Sequence, residues 1–521
     1  MPKHRKAIPT TPQAPAATSL ESAIPTRPGT SPRVWLYTLC ALFLARAAAW
    51  AMEELWYDEI LSLNLFVMRP DSIFAVFRDY RIANNHFLAN AVQWLWCRIF
   101  PAVPGSELFL RVPSLLFGLG TLLVIACYWK KWLGKKFALV TAFLMAASPV
   151  FVAFAYQMRG YSLAMFLSTL AVTAAYARKE APTAKNGIAL FLTSLALPLV
   201  MPSAAMLPMA ICASFALPWI LREKDASLKA LLQRVWPCAA GAFLGVAYYL
   251  TLWAEFQRAR RESGGWESAW MVAAHLLLAF GLHLALYAWP LSKKALKNSA
   301  VRSMLFGVLA AIAAVLILPS AVGRAPFPRV FLPLLPMLTM AAAIAAKDFP
   351  KLDDMPLKKL ISLAILPGLF LGIATDYLNS YLLDNYDTPP QNLLVQYYRG
   401  QSPNRLWTSL ILERKTELLE VEKYDIALLN PTDEPAFRFY KQFVDIPEEE
   451  KTIAFFPANF NLQESPIRNY APHLVIYARN ENEARNTLET QGIPRDTPLA
   501  FSERREHRTL YRLAPLDTPV P

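Results

Sequence analysis

The 521-residue sequence predicts an α-helical polytopic membrane protein with about 11 transmembrane helices and a small C-terminal extracytoplasmic α/β domain. Three observations predict it. Hydrophobic residues make up 55% of the chain and charged ones 17%, whereas soluble domains carry about 25% charged residues. Mean hydropathy is +0.28, as expected when a membrane part is joined to a sizeable polar part. The charge divides along the same line: residues 1–376 hold 36 Lys+Arg against 18 Asp+Glu, and residues 377–521 hold 16 against 21. A basic excess confined to the apolar portion reports membrane orientation. It excludes a soluble DNA-binding protein, and no nucleic acid is expected among the partners.

Taken in order, residues 1–33 are rich in Pro, Ala, Thr and Ser and open with Lys3, Arg5 and Lys6, so they read as a disordered basic cytoplasmic tail. The first apolar run begins only at Val34 and no cleavage site follows it, so it is expected to stay as an anchor. A span needs roughly 20 mostly apolar residues. Such segments lie near 34–52, 108–128, 137–155, 161–177, 187–202, 204–221, 237–256, 270–290, 303–319, 330–346 and 360–376. Pro198, Pro202, Pro208 and Pro218 interrupt the pair at 187–221, which neighbouring helices tolerate by satisfying the freed backbone groups.

Lysine placement tests that count independently. With the N-terminus cytoplasmic, all fifteen lysines between residues 34 and 376 fall in inside loops, from Lys130 to Lys359. The localisation this predicts is the plasma (inner) membrane, multi-pass, with an odd number of spans leaving residues 377–521 outside. That last part alternates short apolar runs (Asp425–Asn430, Thr452–Phe456, His473–Ala478, Arg508–Leu513) with helix-compatible stretches such as Pro435–Phe443 and Glu481–Gln491, a pattern of a small α/β domain. No Gly-rich phosphate loop, HExxH or nucleophile elbow occurs there. The five cysteines have no metal-ligand spacing and read as free thiols.

Basic residues in the outside loops are all arginines: 69, 78, 81, 98, 111, 159, 258, 260, 261, 324 and 329. The planar guanidinium suits bidentate phosphate or carboxylate binding, and solvated loop charge is the alternative for most of them. Four polar clusters share this side. The long first outside loop, residues 53–107, opens Glu53-Glu54-Leu55-Trp56-Tyr57-Asp58-Glu59 and continues to Asn84-Asn85-His86. The latter opens an amphipathic segment reaching Phe100, read as an interfacial helix with Trp94 and Trp96 at headgroup depth. The other clusters are Gln157-Met158-Arg159-Gly160-Tyr161 and Gly323-Arg324-Ala325-Pro326-Phe327-Pro328-Arg329. Together they offer a carboxylate base beside arginines for an anionic leaving group. Helix capping by Asp58 and a local capping or pairing role for His86 are the structural alternatives.

These segments resemble a family. Asp58-Glu59 after the first span, Asn84-Asn85-His86-Phe87-Leu88 and Glu107-Leu108-Phe109-Leu110-Arg111-Val112-Pro113-Ser114-Leu115-Leu116-Phe117-Gly118 carry the likeness. So do Gln157-Met158-Arg159-Gly160-Tyr161-Ser162-Leu163 and Arg329-Val330-Phe331-Leu332-Pro333. They look like the GT-C superfamily of integral-membrane glycosyltransferases, in the bacterial branch similar to protein O-mannosyltransferases and lipid A aminoarabinose or galacturonosyl transferases. The resemblance covers residues 34–376. Many relatives have His-Pro-Pro at His86-Phe87-Leu88, and a His-containing turn is replaced here by Met201-Pro202-Ser203-Ala204.

The resemblance implies transfer of a sugar, with inversion, from a polyprenyl-phosphate-sugar donor to an extracytoplasmic glycolipid (lipid A), glycan or protein acceptor, beside membrane lipids. It implies Asp58 and Glu59 as catalytic, with Asp58 the general base. Asn85, His86 and Tyr161 would bind acceptor or sugar, and Arg159 and Arg329 the donor phosphate. No cofactor is required by this reading, although neighbouring carboxylates are able to hold a divalent metal ion. The alternatives are a transporter or flippase of lipid-linked sugars, which would place polar groups near the bilayer midplane, and an assembly protein indifferent to Asp58.

Overall fold

In the computed structural model the described residues are 32–52, 55, 57–78, 85–100, 107–223, 226–255, 257, 295–320, 328–385, 426–428, 474–478, 481–490, 494–505 and 508–513. The tail 1–31, the expected span at 270–290, the cluster 323–327 and the runs 435–443 and 452–456 lie outside them.

The first helix, α1 (Pro32–Ala51), starts two residues before the expected boundary, with proline at the first helical position, where its missing N–H costs nothing. Short elements follow in the first loop: α2 (Tyr57–Ser62), continued by a wider π-turn over Leu63–Met68, then α3 (Ile73–Arg78) and α4 (Phe87–Ile99). Next come α5 (Glu107–Tyr128), α6 (Lys130–Ala147), the short α7 (Pro149–Ala155), α8 (Gly160–Glu180), α9 (Ala184–Val200), α10 (Met206–Ile220) and α11 (Leu228–Ala247). After them come α12 (Ser299–Ser320), α13 (Leu335–Lys347), the short α14 (Pro350–Asp353) and α15 (Leu357–Asn385).

Seven helical segments among the described residues are long and apolar enough to cross a membrane: Glu107–Tyr128, Gly160–Glu180, Pro202–Ile220, Leu228–Glu255, Ser299–Ile317, Arg329–Lys347 and Leu357–Ala374. The expected span 137–155 is broken: α6 and α7 meet at 69°, and counted as one they make eight. The break sits at Ser148-Pro149, where proline supplies no N–H to continue the ladder. Two side chains repair it. Ser148 Oγ accepts from the Phe151 N–H at 3.4 Å, and Arg46 Nη1 donates to the Ala146 carbonyl at 3.1 Å. The one charge set deep in the first span therefore satisfies a carbonyl at the kink. Of the remaining expected segments, 187–202 forms the shorter apolar α9, and 34–52 forms α1, whose Arg46, Trp35, Tyr37 and Trp50 lower its hydropathy.

The helices enclose a main apolar core drawn from α1, α5 to α13 and α15, with side chains such as Phe43, Trp129, Phe143, Phe151 and Met340. Lysine-bearing turns gather at one end of it. Lys131 pairs with Glu180 at the end of α8 at 2.9 Å, Lys347 donates to the Trp132 carbonyl at 2.8 Å, and Lys136 donates to the Asp353 carbonyl. Gly134 reverses the chain here at φ +75°, a backbone region where glycine meets no steric penalty. The turn between α7 and α8, residues 156–159, is at the far end of α8.

Toward the C-terminus, β1 (Ile426–Leu428), β2 (Leu474–Ala478), β3 (Leu499–Arg505) and β4 (Arg508–Leu513) form a sheet ordered β1-β2-β4-β3. β1 runs parallel to β2, pairing Ala427 with Val475; β4 runs antiparallel to β2 and β3, with an irregularity between Phe501 and Glu503. The helix α16 (Glu481–Thr490) packs on β2 and β4 and buries Ala484 and Leu488, four residues apart and so on one helical face.

Candidate active site

The site is assembled at the end of the core opposite the lysines, where α2, the 156–159 turn, the start of α4 and the 3₁₀ turn Pro328–Leu334 converge. Asp58 lies in the first turn of α2. Its Oδ2 stands 3.5 Å from Arg159 Nη1 and 3.4 Å from Arg329 Nη2. The Asp58 side chain keeps 18% of its surface open and Arg329 15%, against 1% for Arg159, so the carboxylate forms the accessible edge of the cluster. These contacts are loose beside the roughly 2.7–2.9 Å usual for a charge-assisted N–H···O bond.

Arg159 is fixed from several directions. Its Nη1 donates to the Asp58 carbonyl at 2.9 Å and to Ser62 Oγ at 3.3 Å, while Nη2 lies 3.2 Å from His86 Nε2. His86 is buried at the start of α4 and makes no side-chain capping bond there, so the capping alternative does not describe it. Its Nδ1 instead accepts from the Gly160 N–H at 3.0 Å. A neutral ring accepting at Nδ1 carries its proton on Nε2, and that N–H then faces the Arg159 guanidinium. Burial, followed by the Arg159 and Arg329 charges, holds the His86 imidazole well below its ordinary pKa, so the ring is neutral. Gly160 is required by this approach: a Cβ there would stand 2.2 Å from His86 Nδ1 and 2.8 Å from Val200 Cγ1.

Tyr161 packs its ring edge-on against His86, centroids 5.2 Å apart, and against Phe154 at 5.0 Å. The Arg159 guanidinium lies 5.9 Å from the same ring. The Tyr161 hydroxyl is buried and has no hydrogen-bond partner among the described residues. A buried orphan donor is rare in proteins and calls for an explanation.

Glu59 behaves differently from its neighbour. It is fully buried, and Arg111 of α5 grips it bidentately, Nε to Oε1 at 3.0 Å and Nη2 to Oε2 at 2.6 Å. The Met158 N–H donates to Oε1 at 2.5 Å, and Arg111 Nη1 also donates to the Ala51 carbonyl at 3.1 Å. This pair joins the end of α1, the start of α2, α5 and the 156–159 turn. Its carboxylate faces inward, away from the accessible edge that Asp58 forms. Arg111 stood in the sequence among eleven outside arginines with nothing to single out its partner. The signal was the pairing of its conspicuous Leu110-Arg111-Val112-Pro113 setting with an adjacent carboxylate left over by Asp58.

Asn85 also faces inward: it is buried and its Oδ1 accepts from Asn90 Nδ2 at 2.7 Å. The two tryptophans expected at headgroup depth are hydrogen-bonded to the protein, Trp94 Nε1 to the Pro70 carbonyl at 2.9 Å and Trp96 Nε1 to the Phe109 carbonyl at 2.7 Å. Of the residues expected at the site, the fold thus brings together Asp58, His86, Arg159, Tyr161 and Arg329, and sets Glu59 and Asn85 behind them. Among the described residues no three His, Cys, Asp or Glu side chains gather. Asp58 faces two guanidinium groups and Glu59 is closed by a third.

No protein-family profile and no curated protein sequence matches the chain. Solved structures do. ArnT from Cupriavidus metallidurans in the apo state aligns over 93% of this chain and 99% of its own, at a TM-score of 0.55 and 11% identity. The same protein bound to undecaprenyl phosphate aligns over 92% and 98%, at 0.52 and 10%. The oligosaccharyltransferase of Archaeoglobus fulgidus in the apo form gives 0.49 at 11% identity, over 94% of this chain and 75% of its own. At such identities the likeness is one of fold: the chain shares the fold of ArnT from Cupriavidus metallidurans over nearly its whole length.

Proposed function

We propose that the protein transfers a sugar, with inversion, from a polyprenyl-phosphate-sugar donor to an acceptor hydroxyl outside the cytoplasm. The observation that carries this reading is the accessible carboxylate of Asp58, set against two arginines at one end of an apolar helical core. A polyprenyl tail partitions into the bilayer and brings its phosphate to that end. The solved relative by fold that is bound to undecaprenyl phosphate supports the same donor class.

In the proposed reaction Asp58 takes the proton of the acceptor hydroxyl as its oxygen forms a bond to the anomeric carbon. The bond from that carbon to the phosphate oxygen breaks with its electron pair, and Arg159 and Arg329 stabilise the charge that develops there. A donor phosphate draws both guanidinium groups from the loose contacts they make with Asp58, releasing the carboxylate for its role as base. An oxygen of the bound donor also answers the buried Tyr161 hydroxyl. Glu59 and Asn85 act through the positions of these groups. The proposal extends to an architecture of about eleven spans, an inner-membrane location, a cytoplasmic tail over 1–33 and an extracytoplasmic α/β domain over 377–521.

The test is transfer from a polyprenyl-phosphate-sugar by purified protein. It is combined with mass spectrometry of envelope glycolipids, glycans and glycoproteins from a deletion strain restored with wild type or Asp58→Asn. Loss of one glycosylated species with Asp58→Asn supports the reading. A monodisperse Asp58→Asn protein that transfers at the wild-type rate sinks it, and movement of lipid-linked sugar across vesicles without transfer replaces it by a flippase. Arg159→Lys and Arg329→Lys each keep the charge and lose the planar fork, so transfer falls while the protein still accumulates.

A further inference from the structure

Asp58 and Ser62 lie four residues apart and so share one face of α2. Ser62 is the last residue of that helix before the wider π-turn over Leu63–Met68, and π-segments occur frequently at functional sites. Leu63, Phe66 and Val67 of this turn are buried, so packing fixes the backbone that carries the hydroxyl. Ser62 is itself buried and makes no side-chain capping bond to the π-turn. Its Oγ instead donates back to the Asp58 carbonyl at 2.8 Å. Helix serines and threonines commonly bond to the preceding turn in this way, and Thr121, Thr141 and Thr339 do so here. Ser62 differs from those three in what it accepts: Arg159 Nη1, 97 residues away, donates to its oxygen at 3.3 Å.

The same nitrogen donates to the Asp58 carbonyl at 2.9 Å. Asp58 O, Ser62 Oγ and Arg159 Nη1 thus close a ring of hydrogen bonds. The carbonyl accepts two bonds, the hydroxyl gives one and takes one, and Nη1 gives both of its hydrogens. A guanidinium is planar and rigid, so holding both hydrogens of one nitrogen fixes where the other N–H groups point. The contact of Nη1 with the Asp58 carboxylate is longer, at 3.5 Å. A phosphate that displaces this contact meets a fork already oriented, and an oriented side chain loses less freedom on binding.

We propose that Ser62 is a positioning residue of the sugar-transfer centre, holding the Arg159 guanidinium in the plane in which it receives the donor phosphate. The inference rests on the reading of Arg159 as a donor-phosphate ligand. Ser62 touches neither donor nor acceptor and acts through Arg159 alone.

The experiment uses the full-length protein in detergent and places Ser62→Ala in the wild-type and Arg159→Lys backgrounds. It measures kcat and KM for both substrates, the thermal midpoint, and retention of undecaprenyl phosphate by native mass spectrometry. Ser62→Ala removes the acceptor of one Arg159 N–H, and a hydrogen bond to a charged group is strong enough for kcat/KM of the donor to fall about tenfold. The acceptor KM keeps its wild-type value, and Ser62→Thr, which retains the hydroxyl, recovers the loss. In the Arg159→Lys background the planar fork is already gone, so Ser62→Ala is expected to change donor kcat/KM by no more than about twofold. Undecaprenyl phosphate retention gives the same comparison where Arg159→Lys turnover is too low to measure. A hydroxyl that merely stabilised α2 would lower the thermal midpoint and depress kcat/KM equally in both backgrounds. That result overturns the proposal, as does a wild-type donor kcat/KM in Ser62→Ala. Should Ser62→Thr fail to fold, the comparison of the two backgrounds decides by itself. Wild type that neither retains undecaprenyl phosphate nor transfers sugar overturns the donor reading itself, whereas wild type that transfers beside an unaffected Ser62→Ala overturns the Ser62 assignment alone.

Discussion

Replacing Asp58 by Asn removes the carboxylate while keeping the size of the side chain, and it leaves two guanidinium groups facing a neutral amide. A positioned carboxylate contributes about 10²–10⁴-fold as general base, so turnover by Asp58→Asn is expected to fall at least about 100-fold with the protein still folded. Glu59→Gln fails in another way. It strands the buried Arg111 guanidinium, and breaking a buried pair by removing one partner costs roughly 3–5 kcal/mol. A lowered thermal midpoint and reduced accumulation are expected, and a fully stable but inactive Glu59→Gln protein would return Glu59 to the chemistry. His86 gives a pH signature. Its folded pKa lies well below the ordinary 6.5 because of burial and then Arg159 and Arg329, so below pH 6.5 the unfolded chain binds a proton that the native site refuses. Its contribution to stability is complete above about pH 6.5 and is lost as pH falls through that value toward the folded pKa. Thermal unfolding from pH 7.5 to 5 should show this loss in wild type and a smaller one in His86→Gln.

At the level of elements, the broken span α6–α7 depends on a distant helix. Proline at 149 frees carbonyls in the last turn of α6, and Arg46 of α1 covers the one at Ala146. Its charge gives hydrogen bonds in place of water where the bilayer supplies none. Arg46→Met keeps the length of the apolar stem and removes the donors. A fall of several degrees in thermal midpoint is expected, together with a raised donor KM in the transfer assay, since the turn that carries Arg159 follows α7 directly. An unchanged midpoint would mean that water or lipid satisfies the Ala146 carbonyl.

Across the whole molecule, the lysine turns and the Asp58 cluster occupy opposite ends of the helical core, so membrane orientation determines which compartment the chemistry faces. Single-cysteine reporters on a cysteine-free background test it: position 185 should label only from the cytoplasm and position 430 only from outside. Labelling of 430 from the cytoplasm would change the parity of the spans and detach the 377–521 domain from the catalytic side. Much of this organisation was legible in the sequence, because apolar length, lysine segregation and turn residues are local properties that the bilayer reads segment by segment. The helices at 107–128, 160–180 and 330–346 emerge within a few residues of their expected bounds for that reason. The Asp58, Arg159 and Arg329 cluster was legible only as three same-sided segments. Pairing was not. Asp58 and Glu59 are indistinguishable in a one-dimensional reading, yet helical geometry turns them in different directions. One makes long contacts with two arginines at an accessible edge and the other meets a buried bidentate partner 52 residues away. The kink at Pro149 with its arginine from α1 and the neutral His86 against the Gly160 N–H are likewise tertiary decisions. Each depends on which side chains long-range packing brings within a few ångströms, and no spacing along the chain encodes that distance.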